Sequence, residues 1–442
     1  MSFLKKIVKL FLGYEARLVL AKYKPKVIAI IGGVGKTSTR DAVYLVLSKK
    51  FFVRKREKSF TAELGVPLAI IGSPVGNGSL FQWLKNILFG LKLLVWKSHY
   101  PEYLILEIDS DKPGDLKTVS QFLKPDVLIV TAIGDTPPHV ELFGSTENYI
   151  TEIKFLIDAV IHQGTVIYNI DDSKTVSLFR GNSLKKISCG TSTESLVRGS
   201  DFSIIYTGDK VSKEPIGVSF DITYKSVKNS VTILGSLGIH IEYACLLAFA
   251  LGTDLGLNSL EIVAALNKFI SPAGRMKIIS GIKDTIIIDD SYNSSPVALT
   301  QAVEVLSKVV SRGKKIAVLG DMLELGKYSA EEHRKIAGLL KDTACPNDDT
   351  VGRFSFVICV GLRARHISEE LIKLGFQESK IISVDFSEEA GKELQKIIET
   401  GDTILVKGSQ AVRMERAVEE VMKHPEEKGK LLVRQEPEWL IR

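Results

Sequence analysis

The chain has 442 residues, 45% of them hydrophobic and 25% charged, enough for two or three domains with buried cores and ordinary for a globular protein. A net charge of +6 is small for this length and is not gathered into one run, so it gives no nucleic-acid footprint. Cys189, Cys245, Cys345 and Cys359 lie far apart without a C-x-x-C pair, which argues against a zinc cluster or a disulfide framework and for a reducing, cytoplasmic setting.

The opening stretch, residues 1–24, places Phe3, Leu4, Ile7, Val8, Leu10 and Phe11 at roughly helical spacing with Lys5, Lys6 and Lys9 between them. It predicts a basic amphipathic helix. Without a continuous apolar core or a small-residue cleavage site it is not a signal peptide. A helix packed on its own domain is the first reading, and weak association with a membrane surface is the alternative. Next, "KVIAIIG" reads as a strand, followed by a glycine-rich loop and a helix from about Thr37 to Lys49. "LFQWLKNILFGLKLLVW", residues 80–96, carries Lys85 and Lys92 and is shorter than the roughly 20 residues of a membrane span, so it predicts a buried or interfacial helix.

"YLILEID", "DVLIVTAIG" and "GTVIYNIDD" read as further buried strands, and short β-like pieces follow through "FSIIYTG" and "VSFDITY". A helical stretch after "GIHIEYA" closes a first large domain. Pro and Gly interrupt the pattern at "SPAGRM", 271–276, and a second series begins with "DTIIIDDSYNSSP", "KKIAVLGDM", "FSFVICVG" and "DTILVKGS". The fold class is therefore α/β, a central domain with a mostly parallel sheet and a C-terminal Rossmann-like domain. The expected divisions are 1–24, 25–270 and 271–442.

Gly32, Gly33, Gly35, Lys36, Thr37 and Ser38 lie where a strand runs into a helix, which is what polyphosphate binding needs. Backbone N–H groups converge, the helix start adds positive potential, Lys36 neutralises charge and the Thr37 hydroxyl can hold Mg²⁺. The first glycine of the common G-x-x-x-x-G-K-[ST] pattern would fall on Ile30, so this is a variant loop. Glu107 ends a buried strand, where a carboxylate is costly unless it serves a metal or a charge partner. His139 lies in a loop beyond another buried strand, and in open α/β sheets ligands gather at strand C-termini.

The motifs "GGVGKTST", "LEIDSDKPGDL", "HVELFGSTEN", "AGRMKII", "IIDDSYNSSP", "AVLGDMLELGKYSAEEHR" and "VKGSQAVRMERAV" together resemble the Mur ligase family, most closely its MurF type, from about residue 25 to 420. The resemblance implies a phosphate-loop ATPase domain and a Rossmann-like ligase domain with an active site in the cleft between them. It also implies a cytoplasmic, monomeric ligase of peptidoglycan biosynthesis that uses ATP and Mg²⁺ to join an amino acid or dipeptide, D-Ala-D-Ala by resemblance, to a cell-wall peptide precursor through an acyl phosphate. By the same resemblance Lys36 and Thr37 hold phosphates, Thr37, Glu107 and His139 are metal-site residues, and His240, Arg275, Asp290, Tyr292 and Asn293 contact the nucleotide. Lys407 lies on the substrate-facing side.

The chain departs from the family's pattern at several positions. Ile241 stands where the family has Asn, Asp109 where it has Gly, Ser295 replaces the second Asn of "SYNANP", and Gln410 replaces an Arg. The family's carbamylated metal-site lysine maps to Ile153 counting forward from His139 and to Lys154 counting back from the next strand; Lys154 is the candidate. The loop begins after only 31 residues, so the uridine-binding domain that usually precedes it is expected to be absent. Alternatives are a related ligase for pseudomurein- or polyglutamate-type carboxylates, or an inactive ATP-binding regulatory protein.

Overall fold

The computed structural model describes residues 3–56, 62–73, 80–179, 181, 183–207, 213–342 and 354–440; Cys345 lies outside them. The chain order begins α1 (Phe3–Tyr23), β1 (Lys26–Ile31), α2 (Lys36–Leu47), β2 (Val53–Lys55), α3 (Ala62–Ile71), α4 (Leu80–Val95), β3 (Tyr103–Glu107), α5 (Asp115–Ser120) and β4 (Val127–Val130). It continues with α6 (Val140–Phe143), α7 (Thr146–Ile157), β5 (Thr165–Asn169), α8 (Ser173–Ser177), β6 (Lys185–Gly190), β7 (Val197–Thr207), β8 (Glu214–Tyr224), β9 (Val227–Leu234) and α9 (His240–Asp254). Then come α10 (Ser259–Leu266), β10 (Lys277–Ser280), β11 (Ile286–Asp290), α11 (Pro296–Lys308), β12 (Lys315–Gly320), α12 (Ser329–Asp342) and β13 (Phe354–Val360). After these lie α13 (Arg365–Lys373), β14 (Ile381–Val384), α14 (Ser387–Ile397), β15 (Thr403–Lys407) and α15 (Glu415–Val421).

The fold is α/β, as its strand–helix alternation predicts. A nine-stranded sheet has the order β2-β3-β1-β4-β5-β6-β7-β8-β9, and a six-stranded sheet has the order β10-β11-β15-β12-β13-β14. From β2 to β6 every pairing is parallel, and the inner strands β1, β3, β4 and β5 are apolar-rich and mostly buried, as strands covered on both faces are. The chain leaves β1 toward β2 on one side and leaves the adjacent β4 toward β5 on the other, so the strand order switches between β1 and β4, and the C-terminal ends at such a switch are where open α/β sheets bind ligands. In the second sheet β10 is antiparallel to β11 and the remaining strands are parallel.

Two compact units result, one of residues 1–200, 222–229 and 243–268, the other of 201–221, 230–242 and 269–442. In the first, Leu12, Ala16 and Val19 of α1 join Ile31, Leu106 and Val130 in one buried apolar cluster. In the second, Ile287, Ile316, Val318 and Val406 are buried with Leu394 and Val418 from α14 and α15. Residues 235–237 belong with the second unit because the backbone laces them to β10: Ile278 N–H donates to Gly235 at 2.9 Å and Leu237 N–H to Met276 at 3.0 Å. No helix among the described residues is long and apolar enough to cross a membrane.

Candidate active site

The loop after β1 is built by close approach. Gly32 has φ 134°, and a Cβ there would stand 2.2 Å from Thr131 Oγ1; one on Gly33 would stand 2.8 Å from the Ile133 carbonyl. Gly33 N–H and Val34 N–H both donate to the Ala132 carbonyl, at 2.7 and 3.1 Å, which pins the loop to the segment after β4. Gly35, left-handed at φ 85°, then turns the chain into α2 without any side-chain cap. The first N–H groups of α2 are thus presented with their positive potential at the mouth of the loop. Ser38 follows, buried.

Lys36 folds back over the loop, donating to the Gly32 carbonyl at 2.6 Å and pairing with Asp109 at 3.0 Å. Burial opposes its charge, but Asp109, Tyr149 and Glu107 outweigh that cost and hold its pKa above the ordinary lysine range. Thr37 Oγ1 donates to Glu107 Oε1 at 2.7 Å, while Arg40 Nη1 meets Glu107 Oε2 at 3.0 Å. Register explains the meeting, because Glu107 pairs with Ile30 in the parallel β1–β3 ladder and so ends beside the loop. Burial pushes the Glu107 carboxyl up, Asp109 adds to the shift, and Arg40, Lys36 and the Thr37 bond oppose it.

His139 is held at φ 61°, at the start of α6, with Nε2 3.6 Å from Asp111 Oδ1. Lys154 lies on the exposed face of α7, whereas Ile153 is buried in the apolar cluster. The buried acid of that helix is Glu152, which accepts from the Gly114, Leu116 and Lys117 N–H groups at the start of α5. No group of three or more His, Cys, Asp or Glu side chains converges as a metal cage among the described residues. The hydroxyl of Thr37 and the carboxylate of Glu107 nonetheless fit a hard cation that keeps most of its shell as water and phosphate oxygen.

The second unit gathers another set of candidates. Asp290 and Lys407 are partners in the parallel β11–β15 register, and their charged ends meet at 2.6 Å, both nearly buried. Lys407 Nζ also donates to the Asn293 carbonyl at 2.9 Å, and Asp290 Oδ1 accepts from Met276 N–H at 3.2 Å. Lys407 therefore stands as a brace of the β11 loop; burial lowers its pKa against the pull of Asp290. Asn293 Oδ1 accepts from the Ser294 and Gln410 N–H groups, at 2.9 and 3.3 Å. The Arg275 guanidinium stacks 4.1 Å over the Tyr292 ring, a flat cationic surface. His240 is half-buried, with its Nε2 out of contact with solvent and lacking a hydrogen-bond partner among the described residues. Burial pushes it down to about 4, Asp290 pulling up and Arg275 and Lys407 pushing further down, so the ring is neutral at physiological pH.

Reading the residues singly missed the partners that make the charged groups tolerable. Arg40 against Glu107 is a helix residue four beyond Lys36 whose role depends on a strand 67 positions away. In the second unit Arg434 donates to the Tyr292 and Ser291 carbonyls and pairs with Glu415, fixing the loop that holds Tyr292. Neither arginine carries a local signal beyond its charge.

Comparison with known proteins gives two family matches, the Mur ligase middle domain over residues 30–252 and the Mur ligase, glutamate ligase domain over residues 274–410. Among curated relatives, the UDP-N-acetylmuramoyl-tripeptide--D-alanyl-D-alanine ligase of Bacillus subtilis (strain 168) is 25% identical over 411 residues, covering 93% of this chain and 79% of the relative. The enzyme of the same name from Rickettsia prowazekii (strain Madrid E) is 27% identical over 430 residues, covering 94% and 83%. Among solved structures, the MurF ligase of Thermotoga maritima in complex with ADP superposes with a TM-score of 0.74 at 23% identity, covering 94% of this chain and 84% of that one.

Proposed function

The chain belongs to the Mur ligase family, and from that premise we propose that it is an ATP-dependent carbon–nitrogen ligase of the MurF type. It joins D-alanyl-D-alanine, or a related amine, to the free carboxylate of a cell-wall peptide precursor. The observation that carries this reading is the meeting of Lys36, Thr37 and Glu107 at the uncapped start of α2, beside the switch of strand order at β1.

An anionic carboxylate attacks an anionic phosphate only where positive charge is dense. Lys36 and the first N–H groups of α2 supply it, and the polyphosphate takes the place of Asp109 on the Lys36 ammonium. Thr37 and Glu107 would hold Mg²⁺, with His139 as a further candidate ligand, and the ion would supply further charge neutralisation. The γ-phosphoryl group moves to the precursor carboxylate, giving an acyl phosphate and ADP. The amine then attacks the carbonyl carbon, loses its proton and expels phosphate, leaving the amide.

The Arg275–Tyr292 stack offers a planar face to a nucleotide base, and neutral His240 accepts or donates one hydrogen bond without adding charge. Residues 25–270 serve as the ATPase domain and 271–442 as the ligase domain in this reading. Phosphate release from ATP, measured with muramoyl-peptides and a panel of amino acids and dipeptides and followed by the product's mass, tests it. Turnover with D-alanyl-D-alanine supports the proposal, and no turnover with any carboxylate and amine pair refutes it.

A further inference from the structure

The helix pair α1 and α4 has a chemistry that the ligase reaction does not use. Residues 1–24 and 80–98 hold nine of the 58 Lys and Arg and one of the 52 Asp and Glu, leaving 49 basic and 51 acidic side chains elsewhere. The positive balance of the protein therefore resides in these two stretches. Their one acid, Glu15, is buried where α1 meets Gly90 of α4, so it offers no exposed negative charge.

On α4, Phe81, Leu84, Leu88, Leu91 and Val95 recur at spacings of three and four, a single stripe, and all are exposed, Phe81 by 77% and Val95 by 68%. Asn86, Gly90 and Leu93, on the opposite side, are buried. Lys22 of α1 secures the end of α4, donating to the carbonyls of Leu93, Leu94 and Trp96. Lys85, Lys92 and Lys97 are exposed beside the stripe. α1 adds its own exposed row, Leu10 (75%), Tyr14 and Leu18, with Arg17 alongside.

We propose that this face docks on an anionic lipid surface, the apolar stripe entering the boundary between headgroups and acyl chains and the lysines lying on lipid phosphates. Charge selects this occupant. A second copy would set lysine rows against each other, whereas an anionic bilayer complements them, and the exposed Trp96 suits the interface. Neither helix crosses the membrane, so the association is peripheral and reversible. It would concentrate the ligase where lipid-borne substrates or products reside.

Flotation of the full chain with vesicles of phosphatidylcholine, with and without phosphatidylglycerol, tests the proposal. Binding is expected only with phosphatidylglycerol, and less at high salt because screening shortens the reach of the lysines. Each basic residue near such a surface contributes about a fivefold factor, so Lys85→Glu with Lys92→Glu should weaken partition at least about tenfold. Leu84→Glu with Leu88→Glu should abolish it. Both double variants should keep the wild-type ATP turnover in the absence of vesicles, which shows that they fold. Equal binding to neutral vesicles, undiminished binding by either variant, or a dimer or an acidic protein complex that Leu84→Glu with Leu88→Glu dissociates while vesicles bind nothing would overturn the assignment.

Discussion

Glu15 is where burial and ionisation conflict most openly. It is 2% exposed, both its carboxylate oxygens lack a hydrogen-bond partner among the described residues, and a Cβ on Gly90 would stand 2.5 Å from one of them. Desolvation raises its pKa from 4.5 to about 7. A carboxyl whose folded pKa lies above its unfolded value holds more protons when folded, so stability falls as pH rises through that window. Below pH 4.5 the shift contributes nothing; above about 7 it costs at most about 3.5 kcal/mol, from roughly 1.4 kcal/mol per unit. Glu15→Gln keeps the shape and removes the charge. The variant should match the wild type in acid and gain progressively toward about pH 8, where α1 and α4 should open less often. Because two compact units need not unfold together, hydrogen–deuterium exchange of the α1 and α4 amides is the suitable assay, since it reads local opening. A gain independent of pH, or a loss above pH 7, would show that Glu15 is stabilised by something other than the neutral form.

Lys36→Ala should lower ATP turnover by about 10² to 10³, the loss typical of one preorganised charge, while the thermal midpoint moves little; a folded variant with near-normal turnover removes the loop from the reaction. Glu107→Ala should raise the Mg²⁺ concentration needed for half-maximal rate, whereas an unchanged metal titration would assign Glu107 to Arg40 alone. Asp290→Asn leaves the buried Lys407 ammonium without its counter-charge and should cost about 3 to 5 kcal/mol in urea unfolding, with a loss under about 1 kcal/mol contradicting the pairing. Lys154→Ala should leave activity and metal dependence unchanged, since its side chain is exposed; a loss restored by a short carboxylate such as acetate, standing in for a carbamate, would return it to the metal site.

The phosphate loop was legible in the sequence because everything that shapes it is local. Strand, glycines, lysine and helix start follow one another within a dozen residues, and only glycine tolerates the approach of Thr131 Oγ1 and the turn at Gly35. The α/β class was legible for the same kind of reason, since unbroken apolar runs alternating with helical patterns leave little other way to bury both faces of a sheet. The leader forms α1, but of the apolar residues its spacing singled out Val8 is buried whereas Leu10 and Phe11 are exposed, and the packed face continues through Leu12, Ala16 and Val19.

Other features were decided only by tertiary structure. Whether Ile153 or Lys154 faces inward is a matter of one residue, about 100° of helix rotation, which counting from distant motifs does not resolve. Which partner satisfies Glu107 depends on the β1–β3 register, and Asp290 meets Lys407 through a parallel ladder joining strands 117 residues apart. The Pro and Gly break at 271–276 marks a change of local pattern, yet residues 230–242 group with the unit that follows, because backbone bonds from 235–237 to β10 bridge some 40 positions. Periodicity, propensity and backbone permissiveness are properties of neighbouring residues, so they can be read from sequence. Compensation of a buried charge is a property of distance, and the groups that supply it here come close only when the sheets assemble.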